Sequence, residues 1–389
     1  MISIKNKKYF WWKIMICSLA IILSNCKIPY EPKLKSSDTN SLVVEGYIDG
    51  AIPMIIKLSR TRMLTNGDTA ARKYELGARV IVEDDKQDSY PLSELGNGVY
   101  SSLNTLPLNT SNQYRLHIFT TENEEYLSDF VPFKPSPPID SIGWNFKYDG
   151  VQIYANTHDP NNATTYYRWE YSETWEYHAY YSSLYEYDQV HDTVIPRLQQ
   201  VYTCWQTDSS TSILLGSSAK LTSDVINEMA LTYIQPHDTR LSVLYSIWVK
   251  QYALDVNGYN YWSAMQSNTE SIGSIFDPQP NETAGNIHCV TSPAELVVGY
   301  INAGNTVQKR VFISNSSLPS DWNQYPFCLD TIVPNNKSAL IHFFAESTFV
   351  PIGIPPPGIF PPVAYTASFE DCVDCRTYGG VTIKPSFWL

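Results

Sequence analysis

Two cysteines near the C-terminus have a spacing that could support metal or redox chemistry. They are Cys372 and Cys375, in the sequence CVDC. A zinc site of this kind needs a second close pair of ligands, and the chain has no other such pair. A thioredoxin-like site needs a βαβ context, whereas this motif follows the last clear strand at a distance. We therefore expect structural disulfides here, with no metal and no cofactor.

The number of cysteines limits how they can pair. The chain has seven, and two of them, Cys17 and Cys26, belong to the N-terminal segment discussed below, so five remain and at least one is unpaired. Cys289 lies in GNIHCVTSP, where any small residue would fit, and we expect it to be the free thiol. Outside the cytosol the other four should form two disulfides, in either pairing: Cys204 and Cys328 with Cys372 and Cys375.

The histidines and carboxylates do not follow a known catalytic pattern. The sequence lacks HExxH, G-x-S-x-G, P-loop and calcium-loop motifs. Three His-Asp pairs, at 158–159, 191–192 and 237–238, suit turns in which side chains bond their own backbone. The acidic residues are too dispersed to nominate a glycosidase pair. We therefore expect a protein that is not an enzyme and nominate no catalytic residue.

Residues 1–25 have the pattern of a lipoprotein signal peptide. Four lysines precede an apolar run from Ile14 to Leu23, which is shorter than the roughly 20 residues of a spanning helix. The sequence LSNC at 23–26 resembles a bacterial lipobox, although Asn25 departs from its strictest form. We expect cleavage before Cys26 and a lipid on its sulfur, with residues 26–40 as a polar tether. The alternatives are an uncleaved anchor or a plain signal peptide with an incidental cysteine.

Composition indicates an exported, β-rich protein. The net charge is −12, and removing the four signal lysines leaves 23 basic against 39 acidic residues, a net charge of −16. This charge disfavours nucleic acid and anionic lipid as partners. The 28 tyrosines, 10 tryptophans and only 17% charged residues favour strands over helices.

Short alternating segments predict a β-sandwich over residues 41–134. Tyr114, Leu116 and Ile118 alternate with polar neighbours, Val80 and Val82 show the same period of two, and turns separate the segments. The size suggests an immunoglobulin-like or transthyretin-like sandwich. The predicted strands fall at 42–49, 54–61, 78–84, 98–102, 113–120 and 125–134. The prolines of KPSPPID (134–140) cannot donate to a sheet, so we place a domain boundary there.

Residues 139–389 predict a larger β-rich domain with two short helical inserts. A first helix is expected near 221–234, where Thr222 and Ser223 could cap it, and a second near 257–271 with Asn257 as its cap. Residues 240–255 alternate and predict a long strand. We also expect a hairpin whose turn is at 303–305.

An aromatic stretch at 166–187 suggests contact chemistry. From Tyr167 to Tyr177 the aromatic residues share one parity of a strand, which fits either a ligand platform or a buried sheet face, and we favour the buried face. Beyond it the periodicity is lost, and exposed loop tyrosines more often mark contact surfaces. The candidate contact residues there are Tyr180, Tyr181, Tyr185 and Tyr187.

A second candidate contact segment is the proline-rich sequence FVPIGIPPPGIFPPVAY at 349–365. Its composition predicts an extended, semi-rigid loop, which suits either partner docking or packing across its own domain. The candidate contact residues are Pro355, Pro356, Pro357 and Phe360.

Several motifs together resemble one known family. They are LVVEGYI, YYRWEYSETWEY, SIFDPQP, GNI, VGYI, CVDCRTYGG and KPSFW. The chain is identified as similar to the DUF4249 family of Bacteroidota outer-membrane lipoproteins over nearly all of its mature length. The family has no established activity and supplies no catalytic residues. The resemblance implies an accessory role in nutrient capture beside a TonB-dependent receptor.

The leading hypothesis from the sequence is a lipid-anchored binding protein of the outer membrane, with the cell surface favoured over the periplasmic face. Its expected partners are membrane lipid through Cys26, a TonB-dependent receptor and an unidentified small ligand. A structural or adhesive envelope protein is the alternative. A hydrolase whose site is assembled across strands is a third hypothesis.

Mass spectrometry of the native protein tests the anchor. We expect the N-terminal residue to be a lipid-modified Cys26, with residues 1–25 absent. An unmodified thiol, with the preceding segment retained or cut elsewhere, would contradict both the location and the receptor partnership.

Overall fold

Alternating apolar and polar residues build a mainly β fold, as the sequence predicts. The computed structural model describes residues 40–62, 72–270, 285–319, 322, 328–358 and 360–389, and residues 40–389 belong to one compact unit. The predicted signal peptide 1–25, Cys26 and the tether up to residue 39 lie outside the described residues. The strands, numbered β1 to β26 along the described chain, form two sandwiches and a smaller sheet module.

The first sandwich combines strands from residues 42–135 with two strands from the second half of the chain. Its core takes one parity of each strand, so that Val80, Val82, Tyr114, Leu116 and Ile118 are buried between the sheets. One sheet consists of β1 (Leu42–Gly46), β3 (Ile55–Arg60), β4 (Lys73–Tyr74), β7 (Ser93–Gly96) and β8 (Val99–Ser101). The other consists of β2 (Ile48–Asp49), β5 (Arg79–Asp84), β6 (Ser89–Pro91), β9 (Gln113–Phe119), β10 (Glu125–Ser128), β11 (Val131–Pro135), β21 (Ile287–Cys289) and β22 (Ala303–Asn305). The likeness to an immunoglobulin or transthyretin domain stays a prediction.

A segment from the second half of the chain completes this sandwich. Strand β21 pairs with β10, and β22 lies parallel between β2 and β11. A Cβ on Gly304 would lie 1.9 Å from the carbonyl oxygen of Lys134, so only glycine permits this close pairing. The predicted hairpin around 303–305 is therefore wrong, because β22 finds distant partners rather than the strand that follows it. The sandwich predicted for 41–134 also includes residues from beyond the boundary at 134–140.

The second sandwich buries the aromatic strand. Tyr167, Trp169, Trp175 and Tyr177 all face its core, so packing rather than a ligand platform explains this parity. One sheet consists of β12 (Ile139–Lys147), β13 (Gly150–His158) and β19 (Val225–Ile234). The other consists of β14 (Tyr166–His178), β17 (Thr203–Ser209), β18 (Leu214–Ser217), β20 (Leu244–Leu254) and β23 (Val307–Ser314).

One of the two predicted helices is wrong. Residues 221–234 form a turn followed by β19, which pairs antiparallel with β13 along most of its length. Tertiary pairing overrides a local pattern that lacks glycine and proline. The helix predicted near 257–271 is present as α1 (Val256–Glu270). Its first turn is capped by Asp255, whose Oδ1 accepts the Gly258 amide at 2.6 Å, rather than by Asn257.

The third part is a small module built on the sheet β24 (Thr331–Pro334), β26 (Ala364–Phe369) and β25 (Phe349–Gly353). The hairpin of β15 (Tyr185–Asp188) and β16 (Thr193–Pro196) packs with it around Val194, Val333 and Phe344. Short helical turns complete the chain: α2 (Lys337–Leu340), a π-helical turn (Ile341–Ala345), α3 (Glu370–Val373) and 3-10 turns at Thr239–Leu241, Asn315–Ser317 and Cys375–Tyr378. Within the described ranges, every helix is too short or too polar to cross a membrane.

A buried ion cluster ties the first sandwich together. Arg60 on β3, 5% exposed, donates to Glu75 and Glu124 at 2.6 Å each and lies 3.4 Å from Glu295 in the returning segment. The Tyr126 hydroxyl lies within hydrogen-bond distance of both Glu295 and Glu124 and can donate its single proton to either carboxylate. Burial alone would raise the pKa of Glu124, but the hydrogen bonds from Arg60 and Tyr126 outweigh it and leave that pKa lowered. The cluster therefore links both sheets to the segment that completes them.

Replacing Arg60 by methionine should lower the free energy of unfolding by roughly 3–5 kcal/mol near neutral pH, since buried carboxylates lose their cation. In the wild type, the lowered Glu124 pKa adds stability above the unfolded pKa, and this stability is lost as pH falls through the folded pKa. In Arg60→Met, burial and the neighbouring carboxylates favour the protonated form of Glu124. The difference in the free energy of unfolding between the two proteins should therefore be smaller in acid. Urea unfolding at about pH 7 and about pH 4 measures this.

Arg72→Met is the matched control. Arg72 is paired with Glu45 at 3.5 Å, but its side chain is 59% exposed, so its loss should cost at most about 1 kcal/mol. A destabilisation of Arg60→Met that is small, or that is the same at both pH values, would contradict the role given to the cluster.

Candidate functional site

The two segments nominated as contact surfaces lie side by side. The Leu184 amide donates to the Ile352 carbonyl at 2.8 Å, and the Ser183 hydroxyl donates to the Pro351 carbonyl at 2.8 Å, although these last two residues are 168 positions apart. The tyrosine segment therefore lies along β25, immediately before the proline-rich loop. The structure joins two features that the sequence could only nominate separately.

Two of the four nominated tyrosines pack against the module. The Tyr185 ring lies 5.6 Å from that of Tyr365, and the Tyr187 ring lies 5.7 Å from that of Phe344. The Tyr187 hydroxyl also donates to Asp192 Oδ1 at 2.9 Å. Both side chains are half-buried, so they fasten the β15–β16 hairpin to the rest of the module.

The other two tyrosines lie at the edge of the module. The Tyr181 hydroxyl donates to the Cys328 carbonyl at 3.1 Å, and its ring meets that of Tyr180 edge-on at 4.7 Å. Tyr180 is 43% exposed and is the member of the set most open to a partner. Burial, followed by the nearby charge of Asp330, raises the pKa of Tyr181, so its phenol remains a protonated donor near neutral pH.

The proline-rich loop projects from the module as an exposed apolar tip. We call residues 354–363, which join β25 to β26, the proline hairpin; Ile359 lies outside the described residues. Pro356 and Pro357 are exposed and Pro355 is half-buried. Phe360 is 83% exposed and Val363 is 69% exposed. An exposed apolar tip with proline-restricted backbone is preorganised for contact with another surface.

The base of the proline hairpin is held by polar and covalent contacts. Asn335 donates its amide to the Val363 carbonyl at 2.9 Å and its Nδ2 to the Pro362 carbonyl at 2.7 Å. The disulfide Cys328–Cys372 packs against β25 and Tyr181. The tip is therefore exposed on a fixed base.

The second disulfide, Cys204–Cys375, fastens the C-terminal segment to the second sandwich, where the Tyr177 hydroxyl also donates to the Cys375 carbonyl at 2.8 Å. Cys289 is a buried free thiol. The structure thus has the two disulfides and the free cysteine expected from the sequence, and it selects one of the two pairings left open.

Sequence reasoning did not nominate Leu184 and Val363, which are exposed beside the nominated residues. Their signal is weak, because a single apolar residue next to serine or proline is common on any surface. Within the described ranges, histidine, cysteine and carboxylate side chains form no group of three or more that could hold a metal ion.

Comparison with known proteins concerns mainly the two sandwiches. A family model described as a domain of unknown function, DUF4249, matches residues 27–310, about three quarters of the chain. No curated protein matches the chain. The match ends within β23, so the proline hairpin, both cysteines of CVDC and the C-terminal KPSFW sequence lie beyond it.

Removing the Cys328–Cys372 disulfide tests how the hairpin is held. In Cys328→Ser/Cys372→Ser, the free energy of unfolding should fall by about 2–4 kcal/mol, and limited proteolysis should cut residues 354–363 faster. Cys289→Ser is the control, because it removes a buried thiol that forms no disulfide. Equal cleavage rates in the double variant and the wild type would show that the disulfide does not hold the hairpin.

Proposed function

Since the chain belongs to the DUF4249 family, we propose that it is a lipid-anchored outer-membrane accessory protein that binds a partner protein rather than catalysing a reaction. The partner proposed is a TonB-dependent receptor, and the process is nutrient capture. The signal-like residues 1–25 and the lipobox-like LSNC sequence support the anchor. The resemblance to Bacteroidota lipoproteins supports the choice of partner.

The observation that carries the proposal is the exposed tip of the proline hairpin. Phe360 and Val363 present apolar surface to solvent on a base held by a disulfide, by Asn335 and by the neighbouring tyrosine segment. Aromatic residues on rigid supports are frequent anchors of protein interfaces, because little conformational entropy is lost on binding. Tyr180 and Leu184, both exposed on the adjacent segment, would extend the contact.

A membrane protein suits this surface as a partner because of the anchor. A lipid on Cys26 would confine the chain to the membrane surface, and the tether of residues 26–40 would leave the folded part free to reorient. Confinement of both proteins to one membrane raises their effective concentration, so a small apolar contact would suffice. The protein would therefore be held near its partner in two ways, by the lipid on Cys26 and by the apolar contact of the proline hairpin.

Copurification from native membranes tests the contact. We expect the tagged wild-type protein to bring down a TonB-dependent receptor from solubilised membranes, and Phe360→Asp to reduce the yield about tenfold or more, since a charge would enter an apolar interface. Tyr148→Asp is the matched control, because Tyr148 is another aromatic residue that is 83% exposed at a hairpin turn. Quantitative mass spectrometry measures the receptor recovered.

Two outcomes would contradict the proposal. Recovery of the wild-type protein without any receptor is the first, and equal receptor recovery by Phe360→Asp and wild type is the second. The structural or adhesive alternative would be favoured if gene loss altered surface assembly but left growth on limiting nutrients unchanged. Cys26→Ser separates the anchor from the contact, because it should release the protein from the membrane fraction with its fold intact.

A further inference from the structure

A series of cations and aromatic rings runs across the outer face of the second sandwich. Residues of β14, β20 and β23 that point away from the core lie next to each other in the sheet: Arg168 is opposite Tyr252, and Trp248 is opposite Arg310. Sequence reasoning assigned the long strand β20 but did not use its outward parity. Trp248 is on the outward-facing side of β20, whose inward-facing side chains Tyr245, Ile247 and Val249 are fully buried.

One end of this series fastens helix α1 to the sheet. The Arg168 guanidinium lies 4.2 Å from the ring of Trp262 in α1 and 4.6 Å from the ring of Tyr252. Its carboxylate partner is Glu170 at 2.8 Å, which also accepts the Tyr252 hydroxyl at 2.7 Å. Glu170 therefore balances the charge of Arg168, and the two aromatic contacts of Arg168 hold the helix against the sheet.

At the other end of the series, two cations lie beside the ring of Trp248. Lys250 Nζ lies 4.7 Å from the centre of the Trp248 ring, and the Arg310 guanidinium carbon lies 5.4 Å from it. Arg310 also stacks on Phe387 at 3.7 Å and donates to the Ser246 hydroxyl at 2.9 Å. Neither cation forms a salt bridge with any residue that the structure describes.

The electrostatics of these two cations differ. Glu170 is the cross-strand neighbour of Lys250 and partly offsets its charge. Burial lowers the pKa of Arg310, yet its guanidinium remains charged at any physiological pH. A half-buried guanidinium that has no anionic partner among the described residues is costly unless a bound anion pairs with it.

We propose that Trp248, Lys250 and Arg310 form a binding site for a small carboxylate-bearing ligand. The flat face of the ligand lies on the half-buried Trp248 indole, its carboxylate accepts hydrogen bonds from the Arg310 guanidinium, and Lys250 adds a second positive charge. A sugar acid and an aromatic acid share this chemistry. The site goes beyond the docking proposal and does not depend on it, because it lies on another sheet and uses none of the proline hairpin.

Isothermal titration calorimetry on the full-length protein in detergent tests the site. The probes are a galacturonic acid trimer and 4-hydroxybenzoate, with maltotriose as the neutral control. We expect one of the two acids to bind and maltotriose to bind more weakly. The acid that binds more tightly shows whether the site suits a sugar acid or an aromatic acid. Added salt should weaken binding, because the ion pair is partly exposed.

Single substitutions test which residues bind the acid. Arg310→Gln should weaken binding of the acid about tenfold or more, because a charged hydrogen bond is lost. Arg79→Gln is the matched control, since Arg79 stacks on Phe119 at 4.1 Å in the first sandwich but is not part of the site. It should bind the acid as the wild type does.

The purely structural reading of the series makes a different prediction. If Arg310 only holds Phe387 to the sheet, Arg310→Gln would lower the melting temperature and leave acid binding unchanged, which would overturn the proposal. Should Arg310→Gln fail to fold, Lys250→Gln provides the same test, because the cation stacked on Phe387 is Arg310 and the change leaves it in place. Failure of both acids to bind more tightly than maltotriose would also overturn it.

Discussion

The antiparallel pairing of β14 with β20 is the constraint on which most of the second sandwich depends. The pairing runs from Tyr166 opposite Leu254 to Glu176 opposite Leu244 without a shift in register. Because successive side chains point to opposite faces, one choice of register sends Trp169 into the core and leaves Trp248 outside. A slip of one residue would bury the cations of the outer face and expose the aromatic core, which makes the register strongly specified.

The core side of this pairing also includes a polar contact that binds the strands to their surroundings. The buried Gln251 side chain accepts the Trp169 indole N–H at 2.9 Å and donates to the Pro137 carbonyl and the Thr157 hydroxyl. Every polar atom of that amide has a partner, so its burial carries no unsatisfied group. Pro137 belongs to the proline-rich connection between the sandwiches, and the same amide therefore fixes where the second sandwich begins.

Local periodicity was sufficient for the β class and the position of most strands, but not for their pairing. Alternation located Val80 and Val82 in a core and predicted that the aromatic residues from Tyr167 to Tyr177 share a buried face. It failed for residues 221–234, where a strand carries helix-compatible residues and is held by β13. It also failed at β22, whose parallel partners are remote in sequence, because no local pattern contains that information.

For the candidate sites, too, the sequence identified some of the residues but not the contacts that they make. The nominated tyrosines and prolines were recognisable from composition, but only the tertiary structure separates Tyr185 and Tyr187, which pack inward, from Phe360, which does not. Arg310 is invisible as a site residue in the sequence, because its neighbours Trp248 and Phe387 come from other segments. Sequence patterns can identify which face a residue occupies, whereas the register between distant strands determines its neighbours.

The two proposed surfaces rely on different physical interactions and so should respond differently to their surroundings. The proline hairpin offers apolar contact, which salt affects little, while the Trp248 site depends on charge attraction that salt screens within about 10 Å. The strongly negative chain repels free anions at long range, so the local cations act only on a ligand already close to the sheet. A partner bound at the hairpin and an acid bound at Trp248 would therefore be recognised independently, each by the surface whose chemistry matches it.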